Sequence, residues 1–219
     1  MQKPTLSQIA KQLGLSTATV SLAMKENSRI SDQTRARVKE ALRESGYVYQ
    51  RSGAGLRKSK TDTGGMVLNN VSDPSFSELL GSIEGELAKE GKTVFLCNTD
   101  EKVERQSEFI RKMSEYNADG IVLVPAMGTQ AADLEEMKKF SPPIVCVSRE
   151  IRGYLIDSVV ADDTLAGYTA AKHLLNLGHR RIAVVGGTVN ISPFNRRMKG
   201  IRQAFDEAGQ EFDRALVFE

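Results

Sequence analysis

Two cysteines, two histidines and no apolar run as long as about 18 residues set the first limits on this 219-residue chain. Cys97 and Cys146 lie inside short apolar runs that read as strands, so they are expected as buried small side chains rather than a disulfide, and a reducing interior suits them. His173 and His179 have neither metal-ligand spacing nor a Gly-x-Ser-x-Gly elbow to partner them, and surface or capping roles account for both. No constellation for nucleophilic or metal-assisted catalysis is visible. The chain is therefore expected not to be an enzyme, and nothing in it calls for a metal or a cofactor. An N-terminal apolar run with a cleavage site is missing too, so neither secretion nor a membrane span is indicated and a cytoplasmic protein is expected. Gly85 to Thr93 approaches a P-loop, but five residues rather than four separate Gly85 from Gly91. It also leads from helix into strand, where a phosphate site needs the reverse. Gly186-Gly187 follows a strand but lacks the remaining glycine of a dinucleotide fingerprint, and reads as a turn.

What the chain does have is positive charge concentrated at one end. Residues 1–60 hold twelve Lys and Arg against four Asp and Glu, a net +8, and the remainder carries −6. A basic head on an acidic body is the layout expected if only the head meets phosphates. With 40% hydrophobic residues, the chain has room for a small head and one larger domain with a sizeable core.

The head reads as three helices, over Leu6 to Leu13, Thr17 to Met24 and Asp32 to Ser45. Thr5-Leu6-Ser7-Gln8 has the capping-box form, which starts the first helix at Leu6. Ile9, Ala10 and Leu13 recur on one face, Gly14 permits the left-handed turn that ends the helix, and Ser16 can cap the next. Two such short helices joined by a glycine-containing turn form a helix-turn-helix whose second member enters the DNA major groove, although ordinary two-helix corners share the spacing. With Val20 and Met24 expected inward, the outer face of the second helix is Thr17, Ala18, Ser21 and Leu22. That face is uncharged and suited to close approach to base edges.

Thr5-Leu6-Ser7-Gln8-Ile9-Ala10, Gly14 to Ser21, Ile30 to Val38 and Gly46-Tyr47 together resemble the LacI/GalR family of bacterial transcription regulators. The resemblance continues through Asp73-Pro74-Ser75-Phe76, Asn98-Thr99-Asp100, Ala118-Asp119-Gly120-Ile121 and Leu177 to Ala183. It implies Thr17, Ala18 and Leu22 as base-facing residues, and Thr5, Ser16, Thr19, Ser21, Ser31 and Thr34 as phosphate-facing ones. Many relatives carry an Arg where Leu22 stands, so apolar contact, for instance to a thymine methyl, is expected here instead. Residues 49–63 are a basic linker by composition. The resemblance makes this segment a hinge that turns helical on DNA and wedges Leu56 into the minor groove. Tyr49-Gln50 departs from the usual Pro-Asn, and Gly53 and Gly55 weaken such a helix by about 1 kcal/mol each relative to Ala.

From Met66 onward, continuous apolar runs alternate with helical segments, which predicts parallel strands covered on both faces in a doubly wound α/β body, with ligands at the carboxyl ends of the strands. The resemblance makes this a periplasmic-binding-protein-like domain of two lobes, 64–161 and the first part of a second lobe at 162–219, behind a headpiece at 1–48. Family members are longer, so the chain is expected to be a fragment or truncated product. The resemblance places Arg197 at a position that faces the effector, where a guanidinium fork suits paired sugar hydroxyls or a carboxylate. Phe76 can stack on a sugar face, and Ser148, Asp162 and Asp163 are candidate polar contacts, Ser148 standing where many relatives have Asp and the two aspartates at the lobe junction. The expected protein is a homodimeric regulator, a repressor, on a near-palindromic duplex site, responsive to a sugar. A constitutive DNA-binding protein without a working effector site is the alternative, and a sugar-processing enzyme leaves the basic head unexplained.

Overall fold

The computed structural model describes residues 4–24, 28–45, 47, 60–139 and 141–218. The chain separates into two compact units, Met1–Lys58 and Ser59–Glu219.

The first unit is built from α1 (Leu6–Leu13), α2 (Thr17–Ala23) and α3 (Asp32–Ser45). The start of α1 is the expected reciprocal cap: the Gln8 amide donates to Thr5 Oγ1 at 3.3 Å and the Thr5 amide donates to Gln8 Oε1 at 2.8 Å. Gly14, at φ 67°, takes the left-handed conformation that returns its amide to the last carbonyls of α1. The core is small: Ile9 and Ala10 from α1, Val20 and Ala23 from α2, Val38 and Ala41 from α3 are all buried. Each fully buried valine contributes about 2 kcal/mol. The inward residue beside Val20 is Ala23, not the expected Met24. The small side chain lets α2 lie close to its neighbours, while Met24 ends the helix half-buried. Gly46 and the hinge residue Leu56 lie outside the described residues.

The second unit opens with residues that composition assigned to the linker. The amides of Thr61 and Asp62 donate to the Asp119 carboxylate at 2.8 and 3.0 Å, and β1 begins at Thr63. Five strands, β1 (Thr63–Leu68), β2 (Thr93–Asn98), β3 (Gly120–Leu123), β4 (Ile144–Val147) and β5 (Ser158–Val159), pair in parallel in the order β2-β1-β3-β4-β5. Alternate residues of β1 point to opposite faces. Val67 packs with α5 (Val103–Glu115) and α6 (Ala131–Lys138) through Ile110, Met113, Leu134 and Met137, while Met66 and Leu68 pack under Phe76, Leu79, Leu80 and Ile83 of α4 (Pro74–Lys89). Helices therefore cover both faces, as a doubly wound sheet requires. Coverage fails at β2, where Phe95 and Leu96 remain 39% and 45% exposed. The strand is the sheet edge, and α4 beside it buries no residue fully.

The second lobe runs α7 (Asp163–Asn176), β6 (Val184–Val185), α8 (Ser192–Glu207) and β7 (Val217–Phe218), with β6 and β7 paired in parallel. The strand expected over 181–185 shortens to two residues because β7 matches it only along Val184 and Val185. Just before it, Arg180 instead donates to the carbonyls of Leu175 and His179. Both cysteines are free, and burial pushes the Cys146 thiol up to about 11. No helix among the described residues is long and apolar enough to cross a membrane.

Candidate DNA-reading surface and ligand cleft

On α2, burial of Val20 and Ala23 leaves Thr17, Ala18 and Leu22 exposed, Leu22 at 43%, with Ser21 half-buried at the flank. No charged side chain stands on this helix, so nothing long and hydrated holds off an approaching surface. Two hydroxyl pairs flank it. Ser16 Oγ accepts the Thr19 amide at 3.0 Å and lies 2.8 Å from Thr19 Oγ1; Ser31 Oγ accepts the Thr34 amide at 3.3 Å and lies 2.9 Å from Thr34 Oγ1. Each pair owns two hydroxyl protons and uses one between its members, so one O–H per pair is left for an outside acceptor. Thr5 differs, because its hydroxyl already donates to Gln8 Oε1 at 3.0 Å. What the start of α1 offers an anion is therefore mainly the amides of Leu6 and Ser7, which lack intrahelical acceptors.

A side chain that the sequence marks only as one of the basic residues of the head also shapes this surface. Arg35, in the first turn of α3, donates from Nη1 to the Ala23 carbonyl at 3.2 Å and from Nη2 to the Ser28 carbonyl and hydroxyl at 3.3 Å. It joins the end of α2 to the start of the segment leading into α3.

The body carries a cleft of ≈630 Å³ at the carboxyl ends of the strands, walled by Phe76 and Leu79 of α4, by Ser148 and Arg149 after β4, and by Asp163 and Arg197 of the second lobe. Four expected residues, Phe76, Ser148, Asp163 and Arg197, meet here. Asp162 does not: its carboxylate accepts the Leu165 amide at 2.9 Å as the cap of α7, and Asp163 takes the wall position. Asp163 is 4% exposed and accepts from Arg197 Nε at 2.7 Å, which leaves the far end of the Arg197 fork open on a side chain that is 58% exposed. Ser148 sits at φ 67°, a left-handed conformation that costs a non-glycine residue about 1 kcal/mol or more and that recurs at binding sites.

Beside it, Arg149 spans the strand ends. It holds both oxygens of Glu101, at 2.8 and 2.9 Å, and reaches the Pro125 carbonyl at 3.1 Å. Glu101 also accepts from Asn69 Nδ2 and the Met127 amide. Burial pushes the Glu101 carboxyl up, but the hydrogen bonds from Arg149, Asn69 and Met127 outweigh it and hold the group below the usual carboxylate range. A depressed value means the contribution is present above the unfolded-state value of about 4.3 and is lost as pH falls through the folded-state value. Glu101→Gln is therefore expected to lower the urea midpoint at pH 7, with the gap from the unaltered chain narrowing on acidification; a gap independent of pH would contradict this.

A second hollow of ≈890 Å³ lies around the 150–158 segment and the start of α8. It is larger, but it contains none of the expected residues, and Glu150 braces it by pairing with Arg196 and donating its amide to Ser192 Oγ at 2.8 Å. The smaller cleft, which gathers Phe76, Ser148 and the open guanidinium fork of Arg197, is the candidate ligand site.

The Arg197–Asp163 pair depends on how closely α7 and α8 cross. A Cβ on Gly167 would fall on the Arg197 carbonyl, and one on Gly200 would fall on the Thr164 carbonyl oxygen. Ala171 and Ala204, one turn further along each helix, continue the contact into the core with Phe205 and Met198. Gly-x-x-x-Ala in both segments was the available sequence signal.

Residues 5–50 match a profile described as bacterial regulatory proteins, lacI family, and residues 61–219 match one described as periplasmic binding proteins and sugar binding domain of LacI family. The chain is 34% identical over 221 residues to the HTH-type transcriptional regulator DegA of Bacillus subtilis, covering 99% of this chain and 65% of DegA. Among solved structures it is similar to the transcriptional regulator CelR in complex with cellobiose, at 26% identity and TM-score 0.60, over 98% of this chain and 65% of that one. The lac repressor dimer bound to operator and an anti-inducer shares the fold at TM-score 0.83 and 18% identity, over 99% and 65%. The chain thus spans just under two thirds of the length of these relatives.

Proposed function

The chain belongs to the LacI family of bacterial regulatory proteins, and from that premise we propose that it is a cytoplasmic, sequence-specific DNA-binding regulator, a repressor, whose hold on DNA is set by a sugar. The observation that carries this reading is the uncharged, exposed face of α2, flanked by hydroxyl pairs on a head of net +8. Phosphate attraction supplies affinity, and Thr17, Ala18 and Leu22 read bases. Ser16, Thr19, Ser21, Ser31 and Thr34, with Thr5 and the amides after it, hold the backbone. Leu56, in the linker between headpiece and body, is the minor-groove wedge.

Two heads on a homodimer call for a near-palindromic site. Edge strand β2 exposes Phe95, with Tyr116 stacked on it at 5.8 Å, on one face of the sheet and Leu96 on the other, and this uncovered edge is suited to a second copy. The effector lies between Phe76 and the Arg197 fork, touches both lobes, and shifts the population of lobe arrangements competent for DNA. The cellobiose bound to CelR and the sugar-binding description of the matched domain support a carbohydrate over other small molecules.

Titrating a duplex selected from a random pool with the chain, alone and with a panel of neutral sugars, tests the reading. Sequence-selective binding that one sugar weakens or strengthens supports it. Unchanged affinity with every sugar would favour a constitutive DNA-binding protein, and sugar turnover without sequence preference an enzyme. Leu22→Arg is expected to move the selected base at the pair it faces toward guanine, a discrimination of about 1–3 kcal/mol. An identical consensus from both proteins would contradict the placement of Leu22.

A further inference from the structure

Helix α2 is seven residues long and is held to the rest of the head by two small buried side chains, Val20 and Ala23. So little surface locates the helix but does not fix its tilt, and base-edge contacts need side chains placed to within about 0.5 Å. The last carbonyls of a helix have no partner inside it and carry its negative dipole end. At α2 one of these, the Ala23 carbonyl, receives Arg35 Nη1 from the next helix, while Nη2 of the same guanidinium takes the carbonyl and hydroxyl of Ser28. Arg35 is half-buried and its planar fork is rigid, so it ties the end of α2 and Ser28, within the α2–α3 connection, to one point on α3.

We propose that Arg35 is a positioning residue that sets the angle at which α2 presents Thr17, Ala18 and Leu22 to base pairs. It acts through the Ala23 carbonyl and not by contact with DNA. The inference rests on the reading of α2 as the DNA-reading helix. It separates Arg35 from the other basic side chains of the head. A phosphate-contacting cation adds affinity for any sequence and steepens the salt dependence, whereas a positioning cation adds affinity only for the right sequence.

The test uses the whole chain, the duplex selected by the unaltered chain, and a random duplex of equal length, each titrated over a range of salt. Arg35→Met, which keeps the apolar stem and removes the fork, is expected to lose on the order of 30-fold on the selected duplex. Its affinity for random duplex and its salt slope should stay unchanged. Arg35→Lys, which retains the charge and one directed donor, is expected to fall between. Equal losses on both duplexes, with a slope shallower by about two, one for each head, would make Arg35 a phosphate contact and overturn the proposal. Unchanged affinity for the selected duplex would overturn it as well. If Arg35→Met loses helical circular dichroism at the assay temperature, Arg35→Lys decides alone, with affinity equal to the unaltered chain counting against the proposal. An unaltered chain that binds no duplex at all would remove the DNA-reading assignment and leave the bracket as a structural one.

Discussion

Gly200→Ala is expected to destabilise the body by about 3 kcal/mol, while Gly85→Ala, also inside a helix, leaves it unchanged or up to about 1 kcal/mol more stable. The opposite signs follow from what a methyl group meets. At Gly85 on α4 nothing lies within 4 Å, and alanine simply improves helix propensity. At Gly200 the new carbon falls on the Thr164 carbonyl oxygen and comes within 2.6 Å of the Tyr168 amide nitrogen. Both are backbone atoms of α7, so no rotamer change relieves the clash and the two helices must separate. Their shared core, Ala171, Phe194, Met198 and Phe205, loses contact as they do. Thermal unfolding reads the difference as a fall of about 10 °C for Gly200→Ala. Equal midpoints for the two variants would show that α7 and α8 do not cross through these glycines.

Arg197→Met is expected to abolish the response to sugar and to cost the body about 2 kcal/mol, with affinity for the selected duplex in the absence of sugar unchanged. Asp163 is 4% exposed and Arg197 Nε is its cation at 2.7 Å. Removing one partner of a buried pair costs about 3–5 kcal/mol. The expected cost is smaller here because the Arg197 side chain is itself largely exposed and because Asp163 sits in the first turn of α7, where the helix dipole favours a negative charge. The ligand response suffers more than stability, since the open end of the guanidinium has no substitute in methionine. Sugar titrations of the variant on the selected duplex, paired with urea unfolding, read both effects. A retained sugar response would move the ligand away from Arg197.

These expectations mark where the sequence was legible. The caps of α1 and α2 could be read in advance because Thr5 with Gln8, and Ser16 with Thr19, are three residues apart and satisfy each other locally. The parallel body was legible from its continuous apolar runs. Choices between neighbours were harder. Met24 and Ala23 both lie on the inner side of α2, and only packing against Val38 decides for the smaller one. Asp162 and Asp163 are equivalent as letters, yet one caps α7 and the other pairs with Arg197. Contacts across long stretches of chain were not legible: Glu101 with Arg149 depends on the strand order, and the grip of Arg35 on Ala23 depends on the angle between α2 and α3. The two-residue strands β6 and β7 show the same limit, because a strand is as long as its partner allows.

The central claim is that a basic head places α2 against base pairs. The most direct measurement is the affinity of the chain for its selected duplex and for a random duplex between about 50 and 300 mM salt. Two heads meeting several phosphates each predict a log–log slope of about −5 or steeper on the selected duplex, and a preference for it of at least about 1,000-fold that persists as salt rises. A flat salt dependence, or equal affinity for both duplexes, would contradict the claim.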